Sequence, residues 1–162
     1  MIELRSATVA DAPRCAEIYA PFVTDSWVSF ELIAPDPAEM AGRIAGALQS
    51  YDWLVAEVGG AVVGYAYGSE HRTRAAYRTS CDVAVYVDPR QKRQGIGRSL
   101  YEALLPRLKT RKMHAAFAGV ALPNEASVAL HRAVGFEPVG TYREVGWKMG
   151  GWRDVAWFQR LL

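Results

Sequence analysis

Short apolar runs rich in β-branched residues alternate along this chain with longer segments whose apolar positions recur every three to four residues. These are the periods of strands and helices respectively. Ile2-Glu3-Leu4-Arg5 alternates and predicts a first strand. Thr8 or Asp11 can cap a helix running through Cys15, Ile18 and Tyr19. Pro21 and the stretch from Thr24 to Pro37 interrupt the period, which predicts a long connection. That connection carries Trp27, Phe30 and Glu31, a load that fits either core plugging or the lining of a substrate pocket. Asp36-Pro37-Ala38-Glu39 opens a second helix, with proline in its first turn. Trp53 to Val58 and Ala61 to Tyr67, joined by Gly59-Gly60, read as a β-hairpin. A polar, basic segment from Glu70 to Arg78 follows, then an apolar strand ending at Val87. Ser99-Leu100-Tyr101-Glu102-Ala103-Leu104-Leu105 has helical spacing, continuing to about Lys109. His114 to Val120 predicts a strand, and Pro123 to Val134 a helix that Gly135 ends. Pro138 to Val145 and Trp152 to Leu161 form a last strand pair around Lys148-Met149-Gly150-Gly151. The order β-α-α-β-β-β-α-β-α-β-β predicts a mixed sheet with helices on both faces, hence an α/β or α+β fold.

Length and composition narrow the picture modestly. With 162 residues and no internal repeat, a single domain over 1–162 is expected. The net charge is only +2, too small for a strong nucleic-acid field. Neither a signal peptide nor a long apolar span is present, which predicts a cytoplasmic protein without a membrane partner. Cys15 and Cys81 lie far apart and form neither a disulfide framework nor a metal pattern, so no metal is expected.

The chemistry concentrates behind the strand Val83-Ala84-Val85-Tyr86-Val87. Asp88-Pro89 ends it, and Arg93-Gln94-Gly95-Ile96-Gly97-Arg98 leads into the next helix. A strand, a basic glycine-bearing turn and a helix start together make an anion site. Helix N-terminal N–H groups lack partners, and the helix dipole favours negative charge there. Gly95 and Gly97 would let a ligand approach the backbone, while Arg93 and Arg98 add charge. The bland alternative is a glycine-softened turn before a surface helix. The Gly-x-x-x-x-Gly-Lys pattern of P-loops is absent, as is a dinucleotide-type Gly-x-Gly-x-x-Gly after the first strand. Asp82 stands out as an acid inside an otherwise apolar run. Such a residue serves catalysis, or pairs with a nearby arginine, or sits at an exposed edge.

The element order, Val85-Tyr86-Val87, the basic Gly-x-Gly turn and Leu122-Pro123-Asn124-Glu125-Ala126-Ser127 through His131 to Gly135-Phe136 resemble the GNAT superfamily of acetyl-CoA-dependent N-acetyltransferases. Ser26 to Phe30, Tyr51 to Val58, Arg74-Ala75-Ala76-Tyr77 and Gly146 to Val155 extend the resemblance to the phosphinothricin and methionine sulfone acetyltransferase branch. The resemblance implies a mixed, largely antiparallel sheet with helices on both faces, acetyl-CoA as co-substrate, and a homodimer. It implies that Val85, Tyr86 and Val87 pair with the pantetheine arm and that Arg93, Gln94, Gly95, Ile96, Gly97 and Arg98 hold the pyrophosphate. Asn124 would contact the cofactor near the thioester, or simply cap its helix. The thioester carbonyl would bond a backbone N–H near Tyr86. Asp82 would be the base, where the branch usually has glutamate, and His131 would donate to the leaving thiolate. Phe30, Arg72, Thr73 and Arg74 would meet the acceptor amino acid. Lys92 stands where the superfamily usually has glutamine or arginine three residues before the first glycine. Besides a small amino acid, a protein N-terminus, a polyamine or a catalytically idle acyl-CoA module remains open at this level.

Overall fold

The computed structural model describes residues 1–162. Seven strands form one sheet in the order β1-β2-β3-β4-β5-β7-β6. They are β1 (Ile2–Ser6), β2 (Trp53–Val58), β3 (Ala61–Glu70), β4 (Ser80–Val87), β5 (Ala115–Ala121), β6 (Glu137–Lys148) and β7 (Gly151–Leu161). All neighbours pair antiparallel except β4 and β5. The mixed, largely antiparallel sheet expected from the resemblance is therefore the one observed.

Helices α1 (Ala12–Thr24) and α2 (Pro37–Ser50) cover one face, and α3 (Ile96–Thr110) and α4 (Glu125–Ala133) the other. Each face has its own core. Ile18, Val23, Met40 and Ile44 pack on Trp53, Val55 and Tyr65. Leu100, Leu104 and Leu108 of α3 pack on Leu54, Ala66, Cys81 and Val83. This split follows the two-residue alternation of the strands: Leu54 and Val55 point to opposite sides.

Local chemistry explains the element ends. Asp36 Oδ1 accepts from Glu39 N at 2.8 Å and caps α2, while Asn124 Oδ1 accepts from Ser127 N at 3.2 Å and caps α4. Gly59 and Gly60 both have positive φ (60° and 79°), as a two-residue hairpin turn requires. Several boundaries differ from the sequence expectation: β3, for one, runs to Glu70 rather than Tyr67. α1 continues through Pro21 to Thr24, because one lost backbone bond near a helix end costs less than exposing the buried Val23. Strand β6 runs to Lys148 rather than Val145, through two register irregularities between Pro138 and Gly146. At the second, Glu144 has φ +51° and its N–H donates to Asp154 Oδ1 at 2.7 Å.

The functional consequence lies at the centre of the sheet. Strands β4 and β5 are paired only over Ser80–Ala115, Cys81–Ala116 and Asp82–Phe117. Beyond Asp82 they part, while β3 continues to pair with β4 as far as Val87 and β7 with β5 as far as Ala121.

Candidate active site

The split between β4 and β5 opens onto a cavity of about 60 Å³. Val83 to Tyr86 form one wall and Gly119 to Ala121 the other. Tyr101 of α3, Asn124, Ser127 and His131 at α4, and Val28 of the long loop close it. Larger, shallower grooves of about 620 and 430 Å³ run outside it, beside Leu122 and Pro123. They lack the convergent buried polar groups of the smaller cavity.

One edge of β4 is free along the split. Asp88 N donates to Val63 O at 2.8 Å, and alternation in the antiparallel ladder then turns the Tyr86 N–H to β3. The amides of Val85 and Val87 consequently face the gap. The Tyr86 amide itself is spent on β3, so the N–H expected near Tyr86 for the thioester carbonyl is that of Val85 or Val87. The Tyr86 ring is packed among Tyr19, Phe22 and Tyr65. Asp88 holds the end of β4 in place. It accepts from Arg90 N at 2.9 Å and from the Arg14 guanidinium at 2.5 Å. The neighbouring Arg90 and Arg14 keep its carboxyl well below the ordinary range.

Beyond β4 the chain turns into α3. None of the backbone N–H groups from Arg93 to Arg98 has an acceptor within the protein. Six successive free donors at a helix N-terminus form a cradle for an anion. Arg93 (φ +61°) and Gly95 (φ +74°) supply the left-handed backbone that turns these groups outward. A Cβ at Gly95 would point into open space, in keeping with a ligand-facing glycine. Gly97 is different: its Cβ would lie 3.1 Å from Leu130 Cδ2. Its lack of a side chain lets α3 approach α4 and does not clear room for a ligand. Ile96 is buried in the core, so only its backbone faces the turn. Gln94 bonds Gln91 at 2.9 Å, and Arg98 pairs with Glu102 at 2.7 Å on the helix surface. Arg93 is exposed.

His131 is 4% exposed and borders the cavity. Its Nδ1 lies 2.7 Å from Ser127 O, so Nδ1 carries the proton and donates to that carbonyl. Its Nε2 lies 3.0 Å from the Tyr101 hydroxyl and accepts from it. Burial holds the imidazole neutral by pushing its pKa down. Both nitrogens are thus occupied, and the direct donation to sulfur expected from the sequence has no free N–H to make it. Tyr101, invisible among the apolar positions of α3, is the polar group that His131 positions.

Asp82 lies on the last paired rung before the split. Burial pushes its pKa up, with the bonded His71 working against that shift. The arginine pairing considered for it does not occur; its partner is His71, with Nδ1 at 2.6 Å. Arg72 contributes positive field at Asp82, and its guanidinium bonds the His71 carbonyl at 2.8 Å. Thr73 and Arg74 are exposed on the same loop, beyond direct contact with Asp82.

The long loop closes the cavity from the other side. Trp27 Nε1 donates to Pro123 O at 3.3 Å, and the Arg153 guanidinium lies 4.2 Å from the Trp27 ring centre. Lys148, 7% exposed, donates to Ser29 O at 2.5 Å and Glu31 O at 2.8 Å. Glu31 is clamped by Arg43 (2.5 and 2.9 Å) and by the Tyr19 hydroxyl. Phe30 packs over Gly146 of β6, where a Cβ would collide with its ring, and remains 40% exposed.

A strand edge with free amides, a run of unpaired N–H groups at the following helix start and a buried cavity beside them lie together at the split. Residues 14–136 match the acetyltransferase (GNAT) family. The chain belongs to that family. It is an acetyl-CoA-dependent N-acetyltransferase, and acetyl-CoA is its co-substrate. Among curated proteins it is 38% identical over 159 residues to a phosphinothricin N-acetyltransferase of Streptomyces viridochromogenes, covering 98% of this chain and 87% of that one. It is 34% identical over 161 residues to an L-methionine sulfoximine/L-methionine sulfone acetyltransferase of Pseudomonas aeruginosa, covering 96% and 92%. Among solved structures, a GNAT phosphinothricin acetyltransferase from Sinorhizobium meliloti in complex with AcCoA superposes with a TM-score of 0.95 at 37% identity, covering 99% and 88%.

Proposed function

We propose that this N-acetyltransferase acts on the α-amine of a small amino acid of the phosphinothricin, methionine sulfone or methionine sulfoximine type. The observation that carries this reading is the basic loop beside Asp82. Arg72 and Arg74 stand free of carboxylate partners next to a carboxylate–imidazole pair. A compact amino acid brings an anionic group for the arginines and an ammonium for the carboxylate side. A polyamine would find the wrong sign of charge on this loop.

The residues divide the work in space. The cradle from Arg93 to Arg98 holds the diphosphate, and the Val85 and Val87 amides bond the pantetheine amides and orient the thioester. Asn124 caps α4 through Oδ1, leaving its Nδ2 for the ligand. Acetyl-CoA supplies an activated acyl carbon with a thiolate leaving group. The bonded pair Asp82–His71 would remove the ammonium proton. A free α-ammonium has a pKa of about 8, so the task is modest. Tyr101 also lines the cavity; its hydroxyl, which donates to His131 Nε2 at rest, would turn from that nitrogen toward the sulfur to give the thiolate its proton. Val28 and Phe30 supply apolar contact to the acceptor side chain.

We further propose a cytoplasmic homodimer. Tyr142, Val145, Trp147, Met149 and Trp152 are each about half or more exposed on the β6–β7 hairpin, at an open sheet edge. The decisive experiment for the activity is thiol release from acetyl-CoA across phosphinothricin, methionine sulfone, methionine sulfoximine, other amino acids, polyamines and peptides. Preference for the first three supports the reading, and preference for a polyamine or a peptide N-terminus refutes it. Light scattering on the purified chain tests the dimer.

A further inference from the structure

His71 is the first residue beyond β3, and nothing in its sequence position marks it. Its ring stacks on Phe117, with centroids 4.3 Å apart and planes at 16°, and meets Tyr77 and Trp157 edge-on. Phe117 and Asp82 form the last paired rung before the split, so the imidazole lies beside the point where the two strands part. Cys81 and Val83 belong to the core beneath α3, and alternation places Asp82 on the opposite face. An acceptor entering from that face meets His71 on its way to the gap.

The proton positions follow from the partners. A carboxylate only accepts, so the 2.6 Å contact puts the hydrogen on Nδ1 and leaves a lone pair on Nε2. Nε2 makes no hydrogen bond to protein, and it is not sealed in. The buried side-chain polar atoms without partners are Trp53 Nε1 and Trp157 Nε1. The charged and titratable groups facing this ring are Asp82 from β4, with Arg72 and Tyr77 from its own loop. Phe117 of β5 and Trp157 of β7 face it without charge.

We propose that His71, not Asp82, takes the proton from the acceptor ammonium, with Asp82 fixing the tautomer and countering the imidazolium charge. This rests on the amine-acetylating reading given above. One ammonium N–H bond breaks as an Nε2–H bond forms, leaving a neutral amine and an Asp82-paired imidazolium. The amine nitrogen then bonds the acyl carbon as the C–S bond breaks, and a second nitrogen proton ends on the sulfur. His71 returns its proton to water. Asp82 alone would need its one unbonded oxygen to reach the amine, with the other held by His71.

The test has a kinetic arm and a spectroscopic one. His71→Phe keeps the stacking on Phe117 and should lower kcat/KM for the acceptor by about 10²–10⁴-fold near neutral pH. The loss should shrink above the amine pKa, with acetyl-CoA affinity unchanged. Added imidazole should restore part of the activity of His71→Ala but none of that of Asp82→Asn. Near-normal, pH-independent activity in His71→Phe beside an inactive Asp82→Asn would overturn the assignment and leave the acetyltransferase reading standing. Nitrogen NMR of the imidazoles needs no acceptor. His71 should show a protonated Nδ1 and a free Nε2, a preference that Asp82→Ala, which removes the acceptor, abolishes. The same tautomer mixture in both proteins would refute the dyad. A wild-type enzyme idle toward every amine would refute the acceptor class, while the NMR arm would still decide the dyad.

Discussion

Replacing Lys148 with methionine isolates the fastening of the long loop from the chemistry it covers. The side chain keeps nearly the same length and loses its ammonium. Ser29 O, bonded at 2.5 Å, and Glu31 O, bonded at 2.8 Å, then lose their donor. An unsatisfied buried carbonyl costs about 1–3 kcal/mol. Glu31 is part-exposed and its carbonyl can recover water, so its share lies at the low end. Against this, the ammonium no longer has to be desolvated, a cost visible in the downward push that burial gives its pKa. The balance is about 2 kcal/mol of lost stability. For a chain of this size that is about 4–8 °C in Tm. Thermal unfolding followed by circular dichroism measures it. The loop also carries Val28 and Phe30, so the acceptor KM should rise, while that for acetyl-CoA moves little because α3 lies across the sheet. An unchanged Tm, or equal shifts in both KM values, would mean that Lys148 does not hold the loop over the acceptor side.

Gly95→Val forces a β-branched residue to φ +74° and should raise the acetyl-CoA KM at least tenfold, the equivalent of about 1.4 kcal/mol; initial rates at varied acetyl-CoA check it. Neutralising Arg72 and Arg74 together as glutamines should cost about 1.5–3 kcal/mol of acceptor binding and leave acetyl-CoA binding intact, read from the two KM values. Tyr101→Phe should lower kcat by tenfold or more without raising either KM, if its hydroxyl protonates the thiolate; an unchanged kcat assigns that proton to water. Acid should unfold the protein: Asp11 (beside Arg5), Glu31 (beside Arg43) and Asp88 (beside Arg90 and Arg14) all have pKa values lowered by folding. Their contribution is complete above the unfolded value of about 4 and fades as pH falls through and below it. Asp82, raised by burial, acts with the opposite sign but alone. Denaturant midpoints between pH 7 and 3 should fall, and less steeply in Arg14→Met.

The order of elements and the cradle before α3 were legible because both rest on local rules: two-residue and helical periods, caps, and glycine at a helix start. What the sequence hid depends on contacts between distant segments. Gly97 reads as room for a ligand, and only the packing of Leu130 shows it as room for a helix. Tyr101 sits at an ordinary core spacing, and its tie to His131, thirty residues away, gives it a polar task. His71 could have been found by counting the β3–β4 register from its turn, since Ser69 faces Asp82. Periodicity says nothing about which side chain bends back from the loop. Pro21 signalled an end to α1 that tertiary burial of Val23 overrode.

The three-rung pairing of β4 with β5 has a mechanical meaning. It divides the sheet into two leaves, β1 to β4 and β5 to β7, that share a short spine at Ser80–Asp82 and gape beyond it. An unpaired strand edge on the rim of a sheet invites other chains to add to it. This edge is enclosed by its own second leaf, so only something as thin as a single extended arm can slide in. The pantetheine arm, bound at Val85 and Val87 as proposed above, would serve as a removable eighth strand. Loading it should slow amide exchange at Val85 and Val87, and draw both leaves into one body for as long as the arm stays in place.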